Sequence, residues 1–255
     1  AANLTPEQLA QIIELAANAV NPVTGEALNL TKLDIKGLGK AKYILKEGGT
    51  LGDLYTTSNL RFNDNGYVEV DKNGNLLMTD EGEDIYLGSV FPNHNLAWRN
   101  DFSYKGINLG VLFTARLGGV CYSATQANLD LYGVSEASAA ARDAGGVLIN
   151  GREMVDAQKW YQAIGSQSGL PQYYLYSATN VRLQELSLGY TFPRKWFRNK
   201  LGLTVSFVGR NLWMIYCKAP FDPEAVASTG LNYQGFDYFM MPSMRNLGFN
   251  VQFQF

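Results

Sequence analysis

From Arg245 to Phe255 the chain alternates strictly. Arg245, Leu247, Phe249, Val251, Phe253 and Phe255 share one parity, and Asn246, Gly248, Asn250, Gln252 and Gln254 the other. A period of two makes a strand with one apolar and one polar face. Three phenylalanines on one side of the final strand suit a position between lipid and a wet lumen, as in the closing strand of a transmembrane β-barrel. No run of about 18 apolar residues occurs, so a membrane-spanning helix is excluded. Barrel strands are only about half apolar and remain compatible with a hydrophobic content of 46%.

Four further segments alternate in the same way. Leu201 to Trp213 places Leu203, Val205 and Phe207 opposite Thr204, Ser206 and Arg210. Within Val181 to Phe192, Leu186, Leu188 and Tyr190 oppose Glu185, Ser187 and Gly189, with a slip of parity near Gln184 that predicts a bulge. Upstream, Ile107 to Leu117 and Asn95 to Lys105 complete the set. Each segment is at least about as long as the 9–11 residues a tilted strand needs to cross the hydrocarbon layer. Short links at Lys105-Gly106 and at 193–200 alternate with long excursions at 118–180 and 214–243. That asymmetry is the one shown by outer-membrane barrels, whose short turns are periplasmic and long loops extracellular.

The expected organisation is therefore an extracellular loop region over 1–94 and barrel strands with long loops over 95–255. In the first region Thr5-Pro6-Glu7-Gln8 reads as a helix start. Asp71-Lys72-Asn73-Gly74-Asn75 reads as the turn of a small hairpin. The start, Ala1-Ala2-Asn3-Leu4-Thr5, has no export-signal pattern, as expected of a mature chain or a piece of one. Five strands cannot close a barrel, since the smallest have about eight. The barrel is thus completed by further polypeptide, whether in the same chain or in a separate piece.

Composition narrows the function classes. A net charge of -2 argues against nucleic acid as a partner. His94 is the only histidine, which leaves no zinc cluster and no choice of base for a serine hydrolase. Gly37-Leu38-Gly39-Lys40 lacks phosphate-loop spacing, and no metal or cofactor is expected. Asp80-Glu81-Gly82-Glu83-Asp84 reads as a solvated acidic loop. Cys121 and Cys217 are open to two readings, a bridge or two separate thiols, the second being favoured.

Several segments together resemble the C-terminal part of the SusC/RagA family of TonB-dependent outer-membrane transporters. They are Tyr43-Ile44-Leu45-Lys46-Glu47-Gly48-Gly49-Thr50-Leu51-Gly52-Asp53-Leu54-Tyr55, Ile85-Tyr86-Leu87-Gly88-Ser89-Val90-Phe91-Pro92 and the Phe102-Ser103-Tyr104-Lys105-Gly106 turn. Ala178 to Tyr190, Gly209-Arg210-Asn211-Leu212, Phe221-Asp222-Pro223-Glu224 and the terminal strand follow in family order. The resemblance implies a share of an all-β membrane barrel of about 22 strands. It also implies a plug, a TonB-engaging segment elsewhere in the assembly, a SusD-like surface lipoprotein, and an oligosaccharide or oligopeptide cargo. Lipid and lipopolysaccharide would surround such a barrel in the bacterial outer membrane, and no catalytic residue is expected. Two rivals fit the strand pattern alone: a passive porin and a soluble β-rich carbohydrate-binding module.

Candidate site residues fall into four groups. Phe249, Val251, Phe253 and Phe255 form the terminal aromatic face, read as lipid-facing and, from the resemblance, as the signal for barrel assembly. Trp160, Tyr161, Tyr173, Tyr174 and Tyr176 are loop aromatics suited either to contact with substrate or lid, or to packing inside the loop. Asp222, Pro223 and Glu224 read as a structural loop signature in preference to a cation or acid–base site. Arg99, Asp101, Arg116 and Arg182 are expected to face the lumen.

Overall fold

The computed structural model describes residues 32–79, 82–165, 168–228, 230 and 233–255. The helix expected from Thr5 onward lies outside these residues, as do Asp80 and Glu81 of the acidic loop. In chain order the first strands are Lys32–Leu38 (β1), Ala41–Lys46 (β2), Asp53–Thr56 (β3), Asn59–Leu60 (β4), Met78–Thr79 (β5) and Ile85–Ser89 (β6). Next come His94–Tyr104 (β7), Ile107–Leu117 (β8), Val120–Ser123 (β9), the helices Ala124–Leu131 (α1) and Glu136–Asp143 (α2), and the hairpin Val147–Ile149 (β10) and Glu153–Val155 (β11). Helix Ala157–Ile164 (α3), Leu175–Ser177 (β12), Asn180–Phe192 (β13), Gly202–Cys217 (β14), Phe236–Asp237 (β15) and Asn246–Gln254 (β16) complete the chain.

Five long strands form one antiparallel sheet in the order β16-β14-β13-β8-β7. They coincide with the five alternating segments, except that β14 runs on to Cys217, because Tyr216 and Cys217 still pair with Val181 and Asn180. The register carries apolar residues straight across this wall. Phe102, Leu109, Leu188, Phe207 and Phe249 form one row, and Tyr104, Ile107, Tyr190, Val205 and Val251 the next. Cross-strand pairs of this kind contribute roughly 0.2–1 kcal/mol each. The opposite face carries rows such as Ser103, Asn108, Gly189, Ser206 and Asn250. An 11-residue strand such as β8 extends roughly 37 Å, which crosses an apolar band of about 25 Å at ordinary barrel tilt.

Two local features keep the faces aligned. Lys105 and Gly106 both have positive φ, 47° and 88°, the conformation of a two-residue type I′ hairpin that matches strand twist. A Cβ at Gly106 would come within 2.7 Å of the Thr191 carbonyl oxygen, so the neighbouring strand also requires glycine there. The bulge falls between Leu183 and Glu185, where the register shifts against both β8 and β14. It places Arg182 and Glu185 on the same face, although they are three residues apart.

The hydrophobic core lies elsewhere. Residues of 41–90, 120–178 and 236 build a cap, with Leu54, Tyr43, Tyr122, Leu170, Tyr174 and Phe236 among its buried residues. Among the described residues no member of that core comes from the five wall strands. Phe236 sits at its centre, edge-on to the rings of Tyr43 and Tyr122 at centroid distances of 5.5 and 5.6 Å. β15 joins β9 as a parallel bridge, and the Ser123 hydroxyl donates to the Asp237 carboxylate at 2.7 Å. The excursion at 118–180 is therefore a folded unit of three capped helices and two short sheets. The small hairpin is closed by Asp71, whose Oδ1 accepts from the amides of Asn73 and Asn75. Those bonds hold the Asp71 carboxyl below the usual carboxylate range.

Candidate functional site

The polar face of the wall carries an ion-pair ladder. Arg99 donates to Asp101 at 2.9 Å and lies 3.5 Å from Glu185, and Glu185 accepts from Arg210 at 3.0 Å. The charges thus alternate from β7 through β13 to β14. All are partly exposed, so the pairs order the surface more than they stabilise the fold. Glu185 and Arg210 escaped the sequence reading as site residues, although both stand on the polar parity.

Arg116 and Arg182 share that parity and do something different. Arg116 Nη2 donates to the Val90 carbonyl at 3.0 Å, which ties the wall to the segment entering β7. Arg182 is buried, at 4% exposure. Its guanidinium donates to Asp222 Oδ1 at 2.8 Å and stands 3.4 Å from Glu224. Asn180, Asn211 and Ser243 accept its remaining N–H groups at 3.2 to 3.4 Å. Asp222 also accepts from the Ser243 hydroxyl and from the Glu224 amide. Burial acts to raise the Asp222 pKa, but the bonds from Arg182, Ser243 and Glu224 outweigh it and hold the carboxyl below its ordinary range. Asn211, in the left-handed region at φ 55°, aims its amide at this cluster, which gives the Gly209-Arg210-Asn211-Leu212 motif a geometric role.

The loop aromatics divide by burial. Tyr174 is 2% exposed. Burial first, and then the Asp130 charge, push its phenol far up in pKa. Trp160 meets the edge of Tyr173 at 5.9 Å, and Tyr176 that of Phe221 at 5.4 Å. Tyr161 packs against the core. Only Tyr173, at 42%, remains well exposed among the five. On β16, Phe249, Val251 and Phe253 share the apolar face of the wall, with Phe249 81% exposed and against Phe207 at 5.6 Å. Phe255 follows the strand and is fully exposed. Cys121 and Cys217 are both free. Burial and the nearby Asp237 push the Cys121 thiol up to about 12. Among the described residues no three His, Cys, Asp or Glu side chains gather to hold a metal.

No family model matches the chain. A TonB-dependent receptor, P3, from Formosa agariphila is 25% identical over 198 residues, covering 73% of this chain and 19% of that relative. The solved RagAB peptide transporter superposes with a TM-score of 0.50 at 17% identity, over 90% of this chain and 25% of that one. The chain is thus similar in sequence to part of a TonB-dependent receptor and shares the fold of part of a barrel transporter. It spans about a fifth of the length of the curated relative it matches.

In that fold the two-faced wall is a share of a barrel, and the cap is built from the segments that precede and connect its strands. The Arg182–Asp222 clasp sits where the two meet, between the loop end of β13 and the loop that leaves β14. Among the described residues no helix is long and apolar enough to cross a membrane.

Proposed function

We propose that the chain forms the C-terminal share of a plugged outer-membrane barrel of about 22 strands. This barrel imports oligopeptides or oligosaccharides, energised through the TonB complex and lidded by a SusD-like lipoprotein. In this reading the short turns face the periplasm, the cap is extracellular, and the ion-paired face of the wall lines the lumen. The chain itself makes and breaks no bond.

One observation carries the reading. The wall strands carry an apolar aromatic face and a polar face, neither covered by a second sheet, while the buried core among the described residues is in the cap. A soluble β-sandwich would bury one face of those strands against a second sheet. The relative's designation as a TonB-dependent receptor and the neighbour's as a peptide transporter supply the class and one of the two cargo types.

The test begins with fractionation of the native cell. The protein should enter the outer-membrane fraction, require detergent, and shift in gel mobility on boiling as folded barrels do. Cells lacking the gene should lose growth on either oligopeptides or oligosaccharides, and loss of TonB should reproduce the defect. Recovery as a detergent-free soluble monomer would sink the proposal. Uptake indifferent to TonB would replace it with a passive pore.

A further inference from the structure

We propose that the turn side of the wall holds an anionic phospholipid of the adjoining leaflet, headgroup at the 193–200 turn and acyl chain in a groove on the outward face. This rests on the membrane-spanning reading above. The groove is a shallow open depression of about 450 Å³ and crosses four strands. Its walls are Ile107, Leu188, Tyr190, Val205, Phe207 and Phe249, all on the outward parity. Phe192 closes the end nearest the turn and continues into it, stacking edge-on to Tyr190 at 5.0 Å and against Trp196 at 5.8 Å. Trp196 is 67% exposed, the disposition of an aromatic side chain that sits at headgroup level.

The turn supplies the complementary charge. Pro193-Arg194-Lys195-Trp196-Phe197-Arg198-Asn199-Lys200 holds four cations, Lys105 stands on the neighbouring turn, and no Asp or Glu occurs between residues 186 and 205. A short helical turn over Arg194–Phe197 and left-handed backbone at Arg198 and Asn199 give this link a defined shape. Arg194 reaches Gln254 at 3.5 Å, and Lys105 lies over the ring of Tyr104. Among the described residues no carboxylate lies within ion-pair distance of Lys195, Arg198 or Lys200. Every cation on the polar face of the wall, by contrast, has an internal partner. Phe192 and Leu188 are four residues apart along one strand, roughly 13 Å, so a headgroup at the turn leaves its acyl chain lying in the groove. An anionic headgroup gains from unpaired cations at the interface, whereas a zwitterionic one has no net charge to offer.

The test uses the intact transporter in nanodiscs of equal parts phosphatidylglycerol and phosphatidylcholine, with retained lipid read by native mass spectrometry. The native protein should retain phosphatidylglycerol over phosphatidylcholine by at least about tenfold. Lys195→Gln, Arg198→Gln and Lys200→Gln together should bring that ratio close to unity. Val205→Trp, which fills the groove without altering charge, should lower retention of both lipids while the barrel keeps its heat-modifiable mobility. Equal retention of the two lipids by the native protein overturns the site. So does a ratio that survives the triple substitution, or retention untouched by Val205→Trp. Free inorganic phosphate displacing the lipid completely would reassign the turn to phosphate and overturn the lipid proposal. Failure to fractionate with the outer membrane overturns the transporter reading as well; a membrane-embedded protein without lipid preference overturns this site alone.

Discussion

Asp222→Asn should free the 218–245 connection from the wall while leaving the barrel strands in place. The carboxylate is the shared acceptor of Arg182, Ser243 and the Glu224 amide, and its cationic partner is 4% exposed. Removing one member of a buried ion pair costs about 3–5 kcal/mol, because the other charge is left uncompensated. Glu224, 3.4 Å from the guanidinium and 40% exposed, is positioned to take over part of that charge. The low end applies, about 3 kcal/mol, or roughly a hundredfold in the local opening equilibrium. Hydrogen exchange of the intact protein in detergent measures it, read at the amides of residues 221–228 and 233–245.

Acid gives an independent arm. A carboxyl whose folded pKa is depressed contributes stability that is fully present above its unfolded value, about 3.9, and is lost as pH falls through the folded value. The Asp222 contribution should therefore be constant between pH 5 and 8 and disappear only below the ordinary carboxylate range. Exchange in the Asn variant should lack that acid step. Arg182→Leu with Asp222→Leu should cost less than the sum of the single substitutions, since either alone already breaks the pair. Exchange within threefold of the native protein for Asp222→Asn, or a strictly additive cycle, would refute the clasp.

Phe236→Ala should cost the cap about 3–5 kcal/mol and make residues 120–178 protease-sensitive, with the heat-modifiable mobility of the barrel unchanged. Phe207→Arg, on the outward face, should lower the yield of assembled barrel, at a cost of about 2–4 kcal/mol if it lies near the membrane midplane. Asn250→Arg on the opposite face of the adjacent strand should assemble normally, and equal yields would invert the assignment of faces. Cys121, buried with its thiol pushed up to about 12, should resist maleimide at pH 8 in the folded protein and react on denaturation. Intact mass without reductant should then count two free thiols.

The wall was legible because one apolar and one polar face impose a period of two on each strand separately. Alternation in β8 or β16 needs only its own residues, and even the bulge showed as the slip of parity near Gln184. The cap was less so. Its helices span eight residues each, too few for apolar periodicity to show, although Ser135 and Asp156 cap α2 and α3 as their residue types allow. Tyr173 and Tyr174 are adjacent and chemically identical, yet only Tyr174 is buried, because the core it enters is assembled from three separate excursions.

Arg182 shows where the pattern stops carrying information. It shares parity with Arg99, and parity assigns both to the polar face. Arg99 stays half-exposed among charges on its own sheet, whereas Arg182 is buried by Asp222, forty residues further along the chain. Parity names the face a side chain leaves from, not the surroundings it reaches. Those depend on which loop folds back over the strand, and at the loop end of β13 that loop brings its own carboxylate. A charged residue near the loop end of a barrel strand therefore has two candidate roles, lumen lining and loop anchoring. Here the second role is marked by Asp222 in the loop that leaves β14, whose carboxylate meets the Arg182 guanidinium at 2.8 Å.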